Sequence, residues 1–480
     1  MNLNSGDQAK TIILEKFRTL DIAANANGRG LVWFTGSQDV IAQAIAPNQS
    51  FTMGPYIDDV YLRIECSEGS LTCDKNASTQ KPKKLSDILK TDLNGKTYQQ
   101  NVATRGSISG NTASAALTDG TKTRLESRMK IFFGPQSCRD IRIVVTGFHA
   151  TGSAAEVVNP NPITADFALE LADASASVPF LFDGEQLLTV QPGGLYISDP
   201  LSLDFDAFAT AWIRSGALVT SGQFIPISSM FAISGESMPY STEATSQVNA
   251  TGAMVNRTTG STGPGGFIPA AILGTPIVNH VSVALYGDSL MAGTIGDGSD
   301  ATTGARGAYA RAVQGLFPWS NMARASETAA FNVGVNGFRR RQLIDFHSHV
   351  LINFDTNGIA GGATLAQCKA SLTSIWTSAK RRGKKVYQSL IWPRTNAGNT
   401  APVTGFAVGG IRDQLNAWIK TQVGNGILDG IIDANVVVES KTTPGLWANS
   451  AWTADGTHLN NAGCLAAAVP IRAAVSEWTI

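Results

Sequence analysis

The sequence is poor in charge for its length, and its charges cancel. Among 480 residues there are 37 lysines and arginines and 37 aspartates and glutamates, so charged side chains make up only 15% and the formal net charge is zero. A chain without an excess of one sign is not drawn to nucleic acid or to anionic membranes by bulk electrostatics. We therefore expect no nucleic-acid partner.

Cysteine is scarce as well. The five cysteines are too few and too scattered for a disulfide framework or a zinc site: Cys66, Cys73, Cys138, Cys368 and Cys464. Free thiols are favoured over the alternative, a bridge between Cys66 and Cys73. Two of the five histidines, His347 and His349, have neither cysteines nor clustered carboxylates beside them. We expect no metal site.

Long apolar runs are also missing. The amino terminus, "MNLNSGDQAKTIILEKF", lacks the basic start and apolar core of a secretory signal. The longest nearly apolar stretch, "GGFIPAAILGTPIVNHVSVAL", is interrupted by two prolines, Asn279 and His280. It therefore predicts a linker that leads into a buried strand, not a membrane span.

Glycine, in contrast, is abundant, with 48 residues, and the first half of the chain is typical of β structure. Residues 1–75 contain short alternating runs split by Gly, Asn and Pro, which predict a small β module. A polar linker is expected at residues 74–84. Residues 85–250 alternate apolar and polar positions between frequent turns, which indicates an antiparallel β-sandwich. A Gly/Thr/Asn-rich boundary follows at residues 244–267.

The period changes in the second half. Strands are predicted at "VSVALYG", "AAFNVG", "KVYQSLIW" and "GIIDANVVVE". In "LAQCKASLTSIWTSAKRRG" the apolar residues fall on one helical face, and a last helix begins near Asn460. Alternating strands and helices predict a three-layer α/β domain with a parallel sheet over residues 270–480. Ligands of such sheets bind beyond the carboxyl ends of the strands, where Ser289 would lie.

Ser289 ends the strand in "VSVALYGDSLMAG" and is a candidate nucleophile. A serine hydroxyl needs a base to take its proton, and an imidazole oriented by a carboxylate is the usual device. His458 lies in "WTADGTHLNNAG", three residues after Asp455. Asp-x-x-His in a turn lets the carboxylate bond the ring of its neighbour and fix its tautomer.

The Gly-Asp-Ser-Leu segment that opens the α/β region and the Asp-x-x-His that closes it together resemble the GDSL family of esterases and lipases, the SGNH hydrolases. The resemblance covers about residues 276–480. It implies that Ser289 is the nucleophile, that His458 is the general base and acid, and that Asp455 orients His458. It also implies that no cofactor is required.

Two further family blocks supply the oxyanion hole, and both have counterparts here. "NVGVNG" aligns its last glycine, Gly337, with the family glycine, and "VLINFDTNGIA" aligns Asn357 with the family asparagine. The resemblance thus implies backbone N–H donors at Ser289 and Gly337 and a side-chain amide at Asn357. Asp355 stands where the family has glycine, and Gly358 where it has aspartate. Asn353 and Asn336 therefore stay open as alternatives to Asn357.

Three further residues are candidates for the substrate pocket: Asp288, Trp392 and Arg394. For the last two, in "IWPRT", the alternative is simple packing and a turn. The arginines of "FRRRQ", residues 339–341, are interpreted as a solvated helix face rather than as a site for an anionic sugar.

The front half resembles, more loosely, the β-domain that precedes some carbohydrate-active esterases, and residues 1–75 resemble small β units of phage virion proteins. These resemblances imply a glycan-binding sandwich and a module for virion attachment or oligomerisation. We expect a tail-associated serine esterase that removes O-acetyl groups from a bacterial surface polysaccharide. It would act in the virion or outside the cell, with a cytoplasmic location as the alternative.

The expected partners are an acetylated carbohydrate or another ester, other virion proteins, and further copies of the chain, three in the case of a tail protein. Two other functions remain as alternatives. One is a free lipase or thioesterase that acts on longer acyl chains. The other is a non-catalytic glycan-binding adhesin that retains the same fold.

Overall fold

The chain divides into two compact units, Met1–Lys90 and Thr91–Ile480. The computed structural model describes the backbone of the strands between residues 2 and 77, and residues 99–480 except 109–115, 118–120, 151–155, 229–232, 258–259, 263–264, 294–296 and 299. Each unit is described by itself.

The described strands of the first unit form two antiparallel four-stranded sheets, with orders β1-β8-β3-β6 and β2-β7-β4-β5. The strands are β1 Asn2–Asn4, β2 Lys10–Leu14, β3 Arg18–Ala24, β4 Arg29–Phe34, β5 Ala42–Ile45, β6 Ser50–Met53, β7 Val60–Glu68 and β8 Ser70–Ala77. The prediction of β structure is confirmed here. The predicted linker was placed too early, because β8 extends to Ala77; residues 78–84 lie outside the described part, as do the side chains of Cys66 and Cys73.

We call residues 99–276 the β region, and the described part of this region forms the next sixteen strands. They are β9 Gln100–Asn101, β10 Gly106–Ser107, β11 Ala116–Leu117, β12 Arg124–Phe132, β13 Cys138–Thr146, β14 Phe148–Ala150, β15 Glu156–Val158, β16 Ile163–Leu171, β17 Ser177–Pro179, β18 Leu188–Val190, β19 Leu195–Ile197, β20 Thr210–Leu218, β21 Ile225–Pro226, β22 Pro239–Ser241, β23 Ser261–Thr262 and β24 Ala271–Pro276.

Two antiparallel sheets dominate the β region. One has the order β17-β16-β20-β12-β22-β23 with β18 also paired to β16, and the other has the order β19-β13-β24-β9. Alternate residues of β12, β16 and β20 share a core with β13 and β24, which includes Leu125, Phe167, Ile213, Ile143 and Ile272. Burying this apolar surface is the main force that holds the two sheets against each other.

The remaining elements form the α/β part. Its strands are β25 Val283–Gly287, β26 Trp319–Asn321, β27 His349–Asn353, β28 Lys385–Ser389 and β29 Gly430–Ile432. Its α-helices are α1 Ser289–Ala292, α2 Gly307–Val313, α3 Ala329–Asn332, α4 Phe338–Leu343, α5 Thr356–Ala360, α6 Leu365–Arg381, α7 Ile411–Lys420, α8 Asn435–Val438 and α9 Asn461–Val475, and short 3₁₀ helices occupy Gly334–Gly337, Ile344–Phe346 and Ser450–Trp452.

The predicted parallel sheet is confirmed. Its order is β10-β26-β25-β27-β28-β29, and every pair in it is parallel. The edge strand β10 comes from the β region, so the two parts of this unit share a sheet. Because parallel strands end at the same edge, the segments that follow β25, β26 and β27 lie side by side.

The two longest helices agree with the sequence prediction. In α6, the side chains of Cys368, Leu372, Ile375 and Ala379 are buried on one face. The helix begins with a capping box, in which the Thr364 side chain accepts a hydrogen bond from the Gln367 N–H and the Gln367 side chain reaches back. The last helix, α9, begins after Asn460, whose side chain accepts from the Gly463 N–H.

One predicted strand is wrong, and another is too long. "AAFNVG" forms α3 and a 3₁₀ turn, because the Thr328 side chain accepts a hydrogen bond from the Phe331 N–H and caps a helix. In "GIIDANVVVE" only Gly430–Ile432 is a strand, and the valines belong to α8. Short apolar runs fit a strand or a buried helical turn equally well, and packing decides between them.

The arginines of "FRRRQ" also depart from the prediction. In place of a solvated face, the α4 helix buries Arg340 completely and leaves Arg341 only 6% exposed. A charge withdrawn from water must have partners of opposite sign, so the helix is tied to acidic residues elsewhere.

Cys138, Cys368 and Cys464 are buried free thiols. In the part of the chain that the structure describes, no group of three His, Cys, Asp or Glu side chains is arranged to hold a metal ion. Nor does that part contain a helix with the length and apolarity that a membrane crossing requires.

Candidate active site

Ser289 lies where β25 passes directly into α1. Gly287 is needed at this junction, because a Cβ atom there would collide with the side-chain oxygen of Asn353 on the neighbouring strand. The Asp288 side chain caps the helix by accepting a hydrogen bond of 3.0 Å from the Leu290 N–H. The hydroxyl of Ser289 is thereby held at the carboxyl end of the sheet, and the residue is 6% exposed.

His458 and Asp455 share a turn just before α9. The Oδ1 atom of Asp455 accepts the backbone N–H groups of Thr457 and His458, both at 2.8 Å, so the carboxylate is folded onto its own turn. Gly456 makes this turn possible. It has φ 77°, and a Cβ atom at this position would collide with the backbone carbonyl oxygen of Thr395.

The turn brings the imidazole to the serine. His458 Nδ1 lies 2.6 Å from Asp455 Oδ2, and His458 Nε2 lies 2.8 Å from Ser289 Oγ. A carboxylate only accepts, so Nδ1 carries the proton and donates to Asp455, while Nε2 accepts from the serine hydroxyl. Partial burial alone would raise the pKa of Asp455, but hydrogen bonds from His458 and from backbone N–H groups outweigh it and hold the pKa at about 2.

Asn357, at the start of α5, is half-buried and held at both ends of its side chain. Its Nδ2 donates to the backbone carbonyl of Glu327 at 3.1 Å, and its Oδ1 accepts from Arg394 Nη1 at 3.2 Å. An amide nitrogen carries two protons, so one N–H remains for another acceptor. Arg394 fixes which end of the amide is the donor.

The two alternatives to Asn357 are placed differently. Asn353 is buried on β27, where its Oδ1 accepts the Asp288 N–H at 3.2 Å and its Nδ2 approaches Asp288 Oδ1 at 3.4 Å. Both ends of that amide are therefore engaged in holding the segment before Ser289. Asn336 is half-buried within the 3₁₀ turn Gly334–Gly337.

The glycine block is not where the sequence interpretation put it. Gly337 was expected at the end of the second strand, but that strand, β26, ends at Asn321. Gly337 closes the later 3₁₀ turn, where a Cβ atom would collide with Asn332. The segment that follows β26 directly is 322–328, and Asn357 is bonded to it through Glu327.

Sequence reasoning missed this segment because β26 is only three residues long and "PWSNMA" has no strand-like alternation. One residue in it has an unusual backbone conformation, since Ser326 has φ 63°. Non-glycine residues with positive φ are uncommon and cluster at functional turns.

The three pocket candidates have separate outcomes. Asp288 has no exposed surface, so it caps α1 and does not line a pocket. Trp392 is 2% exposed and stacks on Tyr309 with 5.2 Å between ring centroids, so it belongs to the core. Arg394 is half-buried and reaches Asn357, which places it beside the candidate site.

We expect Asn357→Ala to lower kcat by roughly two to three orders of magnitude with little change in KM, since one donor to an oxyanion contributes about that much. Esterase kinetics on an aryl acetate measure this. Asn336→Ala and Asn353→Ala are the matched comparisons, and Asn353→Ala should mainly lower the melting temperature. If the kcat of Asn357→Ala stays within roughly threefold of the wild type while that of another variant falls about a hundredfold, the amide donor is assigned wrongly.

Asp355, at the N-terminal cap of α5, is a buried carboxyl in a left-handed conformation with φ 90°. Burial raises its pKa to about 7, and hydrogen bonds from the Ala329 N–H and the Cys368 thiol oppose the rise only in part. Glycine would adopt this φ without strain, and asparagine tolerates it better than most residues. The position therefore combines a strained backbone with a carboxyl that resists ionisation.

We expect Asp355→Asn to stabilise the protein at alkaline but not at acidic pH. Between pH 4 and about 7 the unfolded chain ionises Asp355 while the folded chain keeps the proton, so the free energy of unfolding of the wild type falls as pH rises through this window. The Asp355→Asn variant has no carboxyl group to ionise at this position, so its free energy of unfolding does not fall for this reason. Denaturant titrations of both proteins at pH 4, 6 and 8 should show an advantage that grows with pH; an advantage equal at all three would contradict a neutral Asp355.

Residues 285–465 match the model of the GDSL-like Lipase/Acylhydrolase family. The matched residues include Ser289, Asp455 and His458. None of the curated proteins matches the sequence significantly.

Several solved structures are similar to the chain. They include a member of the lipolytic protein G-D-S-L family from Veillonella parvula (13% identity, 41% of this chain and 99% of that chain, TM-score 0.30). The lipase/acylhydrolase from Enterococcus faecalis is 18% identical over 42% of this chain and 97% of that chain, with a TM-score of 0.30. The salicylyl-acyltransferase SsfX3 from a tetracycline biosynthetic pathway is 13% identical over 75% of this chain and 84% of that chain, with a TM-score of 0.31.

Proposed function

We propose that the protein is a serine carboxylic-ester hydrolase that uses Ser289, His458 and Asp455. The observation that carries this proposal is the pair of contacts at His458, 2.8 Å to the Ser289 hydroxyl and 2.6 Å to the Asp455 carboxylate. His458 takes the proton of Ser289 as the oxygen attacks the ester carbonyl. It then gives the proton to the leaving alcohol. In the second half of the reaction His458 takes a proton from water, which attacks the acyl-enzyme and releases the acid.

The tetrahedral intermediate carries a negative oxygen that needs donors. The free N–H of Asn357 and the backbone N–H of Ser289, at the start of α1, are the donors that we assign to it. The further backbone donor is better sought in the segment 322–328, beside Asn357, than at Gly337.

For the substrate, we propose an O-acetyl group on a bacterial surface polysaccharide, with the enzyme carried on a phage or prophage tail. The exposure of the Asp455 side chain, 43%, supports a large hydrophilic substrate, because it places this edge of the triad at the protein surface. Arg394, half-buried beside Asn357, adds a polar wall. A free lipase or thioesterase and a non-catalytic adhesin are the alternatives.

The test is acetate release from an acetylated bacterial polysaccharide, compared with rates on nitrophenyl acetate, butyrate and octanoate. A polysaccharide deacetylase should release acetate from the glycan and prefer acetate among the nitrophenyl esters. Preference for octanoate would favour the lipase, and glycan binding without release of any acid would favour the adhesin.

A further inference from the structure

The buried arginine of α4 connects the β region to the candidate site. Arg340 is completely buried, and so is the side chain of its acidic partner Glu156, the first residue of β15. Arg340 Nε donates to Glu156 Oε1 at 2.7 Å. The two residues are 184 positions apart in the sequence, so the contact joins separate parts of this unit.

Glu156 also holds the backbone at the start of α4. Its carboxylate accepts the Arg339 N–H at 2.7 Å and the Arg340 N–H at 3.1 Å. The first N–H groups of a helix have no carbonyl partner within that helix, and they carry partial positive charge. A carboxylate is therefore stabilised beside them. One side chain of the β region therefore sets both the beginning of the helix and the direction of the Arg340 guanidinium.

On its other side, Arg340 is hydrogen-bonded to two residues of the segment 322–328. Its Nη1 donates to the backbone carbonyl of Met322 at 3.2 Å and to Glu327 Oε2 at 2.8 Å, and its Nη2 also donates to Glu327. The Glu327 carboxylate accepts in addition from Asn332 Nδ2 at 3.0 Å. The position of this segment thus depends on where Arg340 lies.

The segment in turn holds Asn357, because the backbone carbonyl of Glu327 accepts one amide proton of that residue. Moving Glu327 would rotate or release the amide and misdirect the remaining N–H. The path from Glu156 to Asn357 consists of hydrogen bonds between buried or half-buried groups, for which water competes poorly.

We propose that Glu156 is a positioning residue of the esterase site: through Arg340 and Glu327 it orients the Asn357 amide toward the oxyanion. This inference rests on the proposed function and assigns a part of it to the β region. Glu156 belongs to a buried cluster in which Arg340 and Arg324, 1% exposed in the same segment, lie near Glu156 and Glu327.

The test is a double-mutant cycle with Glu156→Gln, Asn357→Ala and the double variant, assayed on nitrophenyl acetate. Glutamine keeps the shape but loses the charge and one acceptor. We expect Glu156→Gln to lower kcat roughly tenfold or more with KM nearly unchanged, because a misplacement of about 1 Å can cost a hundredfold. In the Asn357→Ala background the same change should have little further effect, because coupled residues are not additive.

The matched control is Glu170→Gln. Glu170 is another completely buried glutamate of the β region, bonded to Arg128 at 2.8 Å and to Arg214 at 2.7 Å. Its loss should lower the melting temperature to a similar extent but leave kcat unchanged. If Glu156→Gln does not fold, Glu156→Asp serves in its place, because it keeps the charge but withdraws the carboxylate by one methylene group; the same cycle and the same expectations then apply.

The outcomes separate the two proposals. If the wild type hydrolyses the ester and Ser289→Ala does not, the proposed function stands, and the positioning role is then judged alone. A folded Glu156 variant with kcat equal to that of Glu170→Gln overturns it, and so does a loss that is undiminished in the Asn357→Ala background. If the wild type hydrolyses no ester, the proposed function fails and the positioning role fails with it.

Discussion

Ser289→Ala is expected to abolish ester hydrolysis, with a fall in kcat of roughly four to six orders of magnitude, as for other triads that lose their nucleophile. Alanine has no atom that can form the acyl-enzyme, and the proton relay through His458 loses its donor. The fold should survive, because the backbone at this position is set by Gly287 and by the Asp288 cap rather than by the serine hydroxyl.

Hydrolysis of nitrophenyl acetate and the melting temperature should be measured together. The matched control is Ser320→Ala, which removes a buried hydroxyl from the adjacent strand β26 and should leave turnover intact. Turnover by Ser289→Ala at the wild-type rate would show that another group attacks the ester, and the assignment of the nucleophile would have to be abandoned.

Removing the imidazole should be nearly as costly as removing the nucleophile. We expect His458→Ala to lower kcat by a similar factor and the Ser289→Ala, His458→Ala double variant to be no worse than either single one, because triad members act as one unit. The reason is geometric: His458 Nε2, at 2.8 Å, is the group positioned to accept the serine proton. His280→Gln, at a buried histidine before β25, is the control for loss of an imidazole elsewhere.

The pH profile of the wild type checks the same assignment. Hydrogen bonds from His458 and from backbone N–H groups outweigh the effect of burial and keep the pKa of Asp455 at about 2, so this carboxylate stays ionised throughout the working range. Loss of kcat/KM on acidification should then report protonation of the imidazole base. A kcat/KM that does not fall on acidification, with chemistry rate-limiting, would argue against a base at this position.

The parts of the site that follow from local sequence were predictable. Asp455 and His458 belong to one turn, and Ser289 follows a strand with clear apolar alternation. Their pattern can therefore be recognised in the sequence without knowledge of the fold. The helix α6 was equally clear, because its buried residues recur at the spacing of one helical face over 17 residues. Signals of this kind depend only on neighbours along the chain.

Other features could not be read in this way, because they depend on residues distant in sequence. Nothing near Trp392 indicates that Tyr309 will stack on it, and nothing in "FRRRQ" indicates that Glu156 will bury Arg340. The three-residue strand β26 takes its identity from the parallel strands on either side. Because that strand was not recognised, Gly337 was expected at the end of a strand that is in fact a helix and a 3₁₀ turn.

By itself the sequence determined the Ser–His–Asp pattern, the β-rich front half and the parallel α/β architecture, since local turns and apolar periodicity encode them. The tertiary structure alone decided which residues face the candidate site and which fill the core. It showed that Asp288 and Trp392 are buried and do not line a pocket, and it placed Arg394 beside Asn357. It also linked the β region to Asn357. Burial and long-range hydrogen bonds form only when the chain is folded, so the side chains that depend on them are identified only there.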